Sequence, residues 1–196
     1  MIRKIVTYPD PFLRKPTGTV GLLGASPISI AEAAPFVQMW TDMEDTLEGT
    51  DSGAALAANQ IGLPFSMFAT NQRLTFAHGM ATLERQNEDK TIMSIPPIVV
   101  DPVMVSHGDE RDVEEEGCLS FPGIHLKVPR WTKAVFRYTG VTTNASGWKA
   151  EEMVSELEGF WARVFQHETD HLNARLFVDY FSTKKRIEIA KSLGRK

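Results

Sequence analysis

Apolar residues spaced three and four positions apart predict the helices of this chain. Residues 31–48 carry such a stripe, and Gly49 stands where a helix commonly ends. A second helix is predicted over residues 159–173. A shorter one is predicted to run to Leu193 from Ser182, a residue type that caps helix N-termini well.

Apolar runs bounded by turn residues predict strands at residues 64–70 and 98–105. Residues 131–138 and 149–157 predict a hairpin, with turn chemistry at residues 144–147. The strands precede the main helix instead of alternating with helices. We therefore expect an α+β fold, with mainly antiparallel sheets packed around a central helix that carries an H-E-x-x-H motif.

Two segments fit neither pattern. Residues 53–60 are too small and too rich in glycine and alanine for an ordinary strand, which predicts a close backbone approach there. The polar stretch 71–94 is long for a loop in a compact domain, so it is expected to be either mobile or to hold a short helix.

Composition narrows the possible classes of protein. A length of 196 residues, 42% of them hydrophobic, favours a single domain over residues 1–196 with a sizeable core. The net charge of −4 gives no reason to expect DNA as a partner. No apolar run of 18 residues predicts a membrane span, and residues 1–6 lack the apolar core of a signal peptide. Cys118 is the only cysteine, which excludes a disulfide framework and favours the cytoplasm.

The pattern H-E-x-x-H occurs once, at residues 167–171. Two histidines four residues apart lie about 40° apart around a helix, so both imidazoles can reach one metal ion. His167 and His171 share a stripe with Phe160 and Val164, and Glu168 lies on the adjacent apolar stripe. A buried carboxylate needs a partner, and a metal with its water supplies one. The alternative is a pair of core histidines with a salt-bridged glutamate.

Catalytic zinc-type sites normally have three protein ligands and one open position. The extended motif H-E-x-x-H-x-x-G-x-x-H is excluded, because the chain has Ala174 and Phe177 at its last two positions. A downstream glutamate ligand would have to be Glu188, which lies on a basic helix with no supporting motif. Cys118 remains. Six acidic residues between Asp109 and Glu116 disfavour a free thiolate there, and a bound cation would stabilise one.

Three segments, in this order, resemble the motifs of the peptide deformylase family: residues 53–60 (G-x-G-Φ-A-A-x-Q), 116–120 (E-G-C-L-S) and 166–174 (Q-H-E-x-D-H-L-x-G). Residues 8–14, 128–130 and 176–179 are also similar, whereas residues 71–97 look like an insertion. Ala55 and Ala174 replace family glycines, and His125 stands where many members have arginine. None of these departures removes a candidate ligand or Glu168.

The resemblance implies a hydrolase of protein biosynthesis that removes the formyl group from formylmethionyl nascent peptides and releases formate. It implies Fe²⁺ as the native ion, replaceable by Zn²⁺, Ni²⁺ or Co²⁺, with Cys118, His167 and His171 as ligands. Glu168 would transfer protons, and the Gln60 side-chain amide with the Leu119 backbone N–H would form an oxyanion hole. The ribosome is a possible partner of the basic C-terminal helix, although a solvated surface is the simpler interpretation of that charge.

Substrate contacts are expected at five positions: Gly53, Ala55, Gly117, Phe160 and Val164. Phe160 and Val164, one turn before His167, would line an apolar pocket for the methionine side chain, or else serve only in core packing. At the end of the main helix we expect Asn173, rather than Ala174, to take the left-handed conformation, since alanine is the less tolerant residue type there.

Three other functions compete with this interpretation. An ordinary metallopeptidase would cleave internal peptide bonds and be indifferent to Cys118. A non-catalytic relative would bind N-termini and have no need of Glu168. A closed structural zinc site would need a fourth protein ligand, for which His125 and Asp170 are the candidates.

Overall fold

A computed structural model describes residues 1–21, 30–50, 53–77, 81–84, 90–93, 95–144 and 147–194. Within these ranges the helices are α1 (Ile30–Glu48), α2 (Gln72–Ala77), α3 (Gly159–Leu172) and α4 (Thr183–Leu193). The strands are β1 (Ala55–Ala57), β2 (Met67–Thr70), β3 (Ala81–Glu84), β4 (Lys90–Met93), β5 (Ile98–His107), β6 (Arg111–Gly117), β7 (His125–Trp131), β8 (Lys133–Asn144) and β9 (Gly147–Glu158). Short 3₁₀ helices span Pro11–Arg14, Ala58–Ile61 and Phe177–Tyr180. No described helix is long and apolar enough to cross a membrane.

The strands form two sheets. Seven strands are ordered β1-β2-β5-β8-β9-β3-β4, and β6 pairs with β7 as a separate ribbon. Each pairing between these strands is antiparallel. The α+β class with mainly antiparallel pairing is therefore confirmed. The predicted hairpin is β8–β9, and residues 145–146 of its turn lie outside the described residues.

The predicted helices are all present, and the Ser182 hydroxyl caps α4 by accepting a hydrogen bond from the Lys185 N–H. The strand predicted at 64–70 begins only at Met67. Instead of extending that strand, the Pro64 carbonyl accepts a hydrogen bond from the Gly18 N–H. The segment 71–94 holds α2, β3 and β4, with residues 78–80, 85–89 and 94 outside the description.

Helix α3 lies between two apolar clusters. On one side the Phe165 ring packs edge-on against Phe68 and Phe136 of the large sheet, with centroids 5.0 and 5.3 Å away. On the other side, Phe121, Val128 and Phe177 belong to a cluster that joins the β6–β7 ribbon to the C-terminal segments. Both faces of α3 are thus held by packing, and its position is fixed relative to both sheets.

The end of α3 differs from the sequence prediction. Ala174 has a φ of +60°, whereas Asn173 has a φ of −94°. The Arg175 N–H donates to the Asp170 carbonyl at 2.8 Å, and the Ala174 N–H donates to the His171 carbonyl at 3.1 Å. This pair of bonds is the Schellman arrangement, which requires the left-handed residue at position 174. The expectation for Asn173 is wrong because these two bonds fix which residue takes that conformation.

Candidate metal centre

Helix α3 and the segment after β6 bring three possible metal ligands together. The Cys118 sulfur and one ring nitrogen each from His167 and His171 all lie within 4.8 Å of one another. The Cys118 Sγ and His171 Nε2 are 3.2 Å apart. Both histidines are buried, with exposed fractions of 8% and 1%, because they lie on the inward side of α3. The predicted ligands therefore converge on one point.

A tight turn directs Cys118 toward α3. Strand β6 ends at Gly117, and the Phe121 N–H then donates to the Cys118 carbonyl at 2.8 Å. A Cβ on Gly117 would lie only 3.1 Å from the His125 ring, which faces it across the ribbon. Glycine at 117 therefore lets the strand pass close to His125 before the chain turns toward the two histidines.

Glu116 orients His167. One carboxylate oxygen lies 2.9 Å from His167 Nδ1, which leaves Nε2 for the ligand cluster. Although burial opposes it, hydrogen bonds from His167 and Arg130 lower the pKa of Glu116 to about 2. Burial also opposes protonation of His167, yet contacts with Cys118 and Glu116 raise the pKa of that ring well above its usual value. The ring thus lies among negatively charged groups, which would also stabilise a bound cation.

Two buried arginines neutralise Glu116. Arg130 donates from Nε and Nη2 at 2.8 and 3.0 Å, and Arg163 donates from Nη1 at 2.7 Å. Arg130 also donates to Asp170, and Arg163 to Asp112. Because each charge of this network has a partner, the network can hold Glu116 in place without leaving an isolated ion among its members.

Glu168 lies in the same buried region and is only 5% exposed. Burial raises the pKa of Glu168 to about 7, against the opposing charge of His167. Its Oε2 atom has no hydrogen-bond partner among the described residues. A buried carboxylate with a free oxygen and a pKa near neutrality is suited to accepting and returning a proton.

Gln60 and Leu119 lie at the mouth of the cluster. The Ala57 N–H donates to Gln60 Oε1 at 2.9 Å, which fixes the amide orientation. Gln60 Nε2 then points toward Cys118 Sγ at 3.6 Å and Ser120 Oγ at 3.1 Å. Within the described part of the chain, the Leu119 backbone N–H donates no hydrogen bond. The Leu119 N–H is therefore a free donor beside the cysteine, and the Gln60 amide, which donates to Cys118 and Ser120, lies next to it.

These groups open onto one cleft of about 590 Å³. Its lining includes every candidate substrate residue, together with most of the site: Gly53, Ala55, Gly117, Phe160, Val164, Gln60, Cys118, Leu119, His167 and Glu168. The close approach predicted for residues 53–60 is confirmed at Gly53, where a Cβ would lie 2.6 Å from Thr50 Oγ1. Arg163 also lines the cleft between Phe160 and Val164, so its wall is less apolar than the sequence predicts.

The donor set fits a divalent metal ion. One sulfur and two imidazole nitrogens are ligands for iron, zinc, nickel or cobalt, and three ligands leave a position open. The unpartnered oxygen of Glu168 lies in the same cleft, where a metal-bound water would supply its partner. Neither candidate fourth ligand joins the described cluster, since Asp170 is bound to Arg130 and Tyr180, and His125 faces Gly117.

The charged network around Glu116 is absent from the sequence prediction. The sequence motifs contain Glu116 and Arg130 without indicating that they pair, and Asp170 is predicted only as a possible fourth ligand. The available signal was Arg163, a cation one turn before His167 on a helix with a buried face. A buried cation needs a carboxylate partner. The acidic residues just before Cys118, which include Glu116, are the candidates that the sequence offers.

The chain is similar to known proteins over nearly its whole length. Residues 2–187 match the family model for polypeptide deformylase. A peptide deformylase of Aquifex aeolicus is 34% identical over 179 residues, covering 91% of this chain and 87% of the relative. A peptide deformylase structure from Legionella pneumophila superposes with a TM-score of 0.67 at 29% identity, covering 100% of this chain and 95% of the other. One from Ehrlichia chaffeensis has a TM-score of 0.72, 24% identity and coverages of 100% and 96%, which shows the shared fold.

Proposed function

Because this chain belongs to the polypeptide deformylase family, we propose that Cys118, His167 and His171 hold its catalytic metal ion. The protein is a metal-dependent hydrolase that removes the formyl group from the N-terminus of nascent peptides. The observation that carries the residue assignment is the convergence of the three donor atoms within 4.8 Å, in the cleft region that also holds Glu168 and Gln60.

The ion proposed for the native enzyme is Fe²⁺, with Zn²⁺, Ni²⁺ or Co²⁺ able to replace it. A mixed thiolate and imidazole set suits all four ions. When bound, the ion supplies Lewis acidity and lowers the pKa of a water in the open position. Glu116 supports this assignment, since its hydrogen bond to Nδ1 of His167 fixes the ring orientation that a ligand needs.

Glu168 is proposed as the group that moves protons. It accepts a proton from the attacking water and later returns it to the amine that leaves when the formyl C–N bond breaks. Its burial in the cleft and its raised pKa of about 7 support this role. A carboxyl group with a pKa near 7 can both accept and release a proton at neutral pH.

Gln60 and Leu119 are proposed to stabilise the negative charge that develops on the formyl oxygen. The Gln60 amide is oriented by the Ala57 N–H, and the Leu119 N–H is available beside it. Fixed donors aimed at a developing oxyanion are worth roughly 3–4 kcal/mol each in comparable sites. In the structure, Gln60 Nε2 points toward Cys118 and Ser120, both of which lie next to Leu119.

The substrate is proposed to be an N-formylmethionyl peptide that lies along the cleft. Phe160 and Val164 would contact the methionine side chain, while Gly53, Ala55 and Gly117 would border the peptide backbone. Their common position along the cleft supports this assignment. Val164 is 8% exposed, so it also contributes to the core cluster that includes Trp161 and Phe165.

The wider setting follows from this function. Formylated nascent peptides arise at the ribosome, and Cys118 must remain reduced to bind metal, so we assign the protein to the cytoplasm.

The exposed Lys184, Lys185 and Lys191 of α4 provide a basic surface for the ribosome. Co-sedimentation with ribosomes should weaken when these lysines are replaced by alanine; unchanged binding would contradict this contact. Residues 1–196 are proposed to act as one catalytic domain.

Formate release from formyl-Met-Ala-Ser, measured with anaerobically prepared protein, tests the proposed function. The same preparation should leave internal peptide bonds of an unformylated peptide intact, which separates the enzyme from an ordinary metallopeptidase. Cys118→Ser should lose most of its metal on dialysis, because a neutral hydroxyl is a poorer ligand than a thiolate. Full metal retention by this variant would contradict the assignment of Cys118.

A further inference from the structure

A second pocket lies on the side of α3 that faces away from the metal ligands. Gln166, Thr169 and Asp170 line it from the helix. At 100° per residue, Thr169 lies about 160° around the helix from both His167 and His171. The cavity has a volume of about 150 Å³, which corresponds to roughly five water molecules at 30 Å³ each. It can therefore hold a small ion but not a peptide.

Two arginines lie against the aromatic walls of this pocket. The guanidinium carbon of Arg111 is 3.7 Å from the centroid of the Trp131 ring, and that of Arg175 is 4.2 Å from the Tyr180 ring. A guanidinium stacked on a ring has one face covered, while its N–H donors remain in the plane and directed outward. Stacking also restricts the side chain, so less conformational entropy is lost when an acceptor binds.

Neither arginine has a carboxylate partner within the described ranges. The pocket is lined by three cations, Arg111, Arg130 and Arg175, and by the carboxylate of Asp170. Arg130 is already neutralised by Glu116 and Asp170. A local excess of positive charge therefore remains in a chain whose net charge is −4.

Thr169 provides an independent sign of a missing partner. Its hydroxyl oxygen is buried, and among the described residues it has no hydrogen-bond partner. A threonine inside a helix usually satisfies its hydroxyl by donating to a carbonyl of the preceding turn. Thr169 lines the cationic pocket, but its hydroxyl is turned into the protein, so a rotation about the Cα–Cβ bond is needed to direct it at an ion there.

We propose that this pocket binds one free phosphate-class oxyanion, held by the Arg111 and Arg175 guanidinium groups and the Thr169 hydroxyl. A tetrahedral oxyanion has enough acceptor oxygens to bind two guanidinium forks and a hydroxyl together, whereas a planar carboxylate has only two. This binding does not depend on the deformylase reaction, and it places an anion next to Arg130, which braces Glu116 behind His167.

The test is calorimetric titration of the metal-loaded protein with inorganic phosphate at constant ionic strength. We expect saturable binding of one phosphate per chain. Arg111→Gln with Arg175→Gln should weaken it by at least about tenfold for each guanidinium removed. The matched control is Arg73→Gln, an exposed arginine on α2 outside this pocket, which should bind as the wild type does. Thr169→Val, which keeps the side-chain shape, should weaken binding more modestly.

Metal content and thermal unfolding of each variant establish that it is folded. Phosphate binding that survives the double substitution would mean that the ion binds the metal instead, and it would overturn the proposal. Absence of saturable binding to the wild-type protein, or an equal loss in Arg73→Gln, would also overturn it.

Discussion

One carboxylate oxygen of Glu116 lies 2.9 Å from Nδ1 of His167. The same carboxylate accepts hydrogen bonds from the buried Arg130 and Arg163, so it is fixed on three sides. A metal-ligating histidine whose second nitrogen is bound to a carboxylate has a defined orientation and increased basicity. Strand β6 therefore carries the carboxylate that orients His167, and the chain that follows it carries Cys118, the proposed third ligand.

Glu116→Gln should lower metal affinity by roughly 10- to 100-fold, because the amide is a weaker partner for His167. It should also destabilise the fold, since Arg130 and Arg163 lose a buried counter-charge. Competition with a chelator measures the affinity. Glu115→Gln, an exposed neighbour on the same strand, serves as the control. Equal affinities for both variants would show that Glu116 does not orient His167.

In the metal-free protein, the contribution of Glu168 to stability should fall as pH rises from about 4.5 to 7. Burial raises the pKa of Glu168 from 4.5 to about 7, so within this window the folded state keeps a proton that the unfolded state has lost. The difference corresponds to roughly 3 kcal/mol above pH 7. Glu168→Gln removes this dependence. Its melting temperature should exceed that of the wild type by more at pH 8 than at pH 5. The same difference at both values would contradict this pKa.

Ala174→Gly should stabilise the protein. Alanine with a φ of +60° carries a steric cost of roughly 1–2 kcal/mol that glycine avoids. Relief of about 1 kcal/mol raises the melting temperature by roughly 2–4 °C in a chain of this size. Ala190→Gly inside α4 is the matched control, and it should lower stability by about 1 kcal/mol. A melting temperature for Ala174→Gly at or below that of the wild type would count against strain at this position.

Activity of the iron-loaded enzyme should decay in air faster than that of the nickel-loaded enzyme. Ferrous iron reacts with oxygen, and the products form against the Cys118 thiolate, which can be oxidised stepwise. Half-lives of both forms, followed with mass spectrometry of Cys118, test this expectation. Equal half-lives without modification of the cysteine would contradict it.

The clustering of Cys118, His167 and His171, and the helix that carries the two histidines, could be predicted from sequence. Helix α3 is predictable because its apolar residues and its two histidines recur at the same helical spacing. The face that this spacing marks as apolar is the face that is buried. The long hairpin is predictable because apolar segments flank an evident turn. The three family motifs, present in the expected order, then predict that Gln60 and Cys118 lie in the same site as the helix. Neither residue is near the helix in sequence.

The remaining features depend on contacts between distant segments. Strand β6 is rich in exposed glutamates, which have low strand propensity, and it is stabilised by pairing with β7 and by ion pairs such as Asp112 with Arg163. The left-handed conformation of Ala174 follows from two specific hydrogen bonds at the end of α3, which override the preference of asparagine for that conformation. Such effects are not visible in the pattern of one segment.

The most direct test of the central claim is the rate of formate release by Glu168→Gln at matched metal content. The glutamate is proposed as a proton-transfer group and not as a ligand, so the variant should keep its metal and lose at least about 100-fold in turnover of formyl-Met-Ala-Ser. A metal-loaded Glu168→Gln enzyme that deformylates at the wild-type rate would contradict the account.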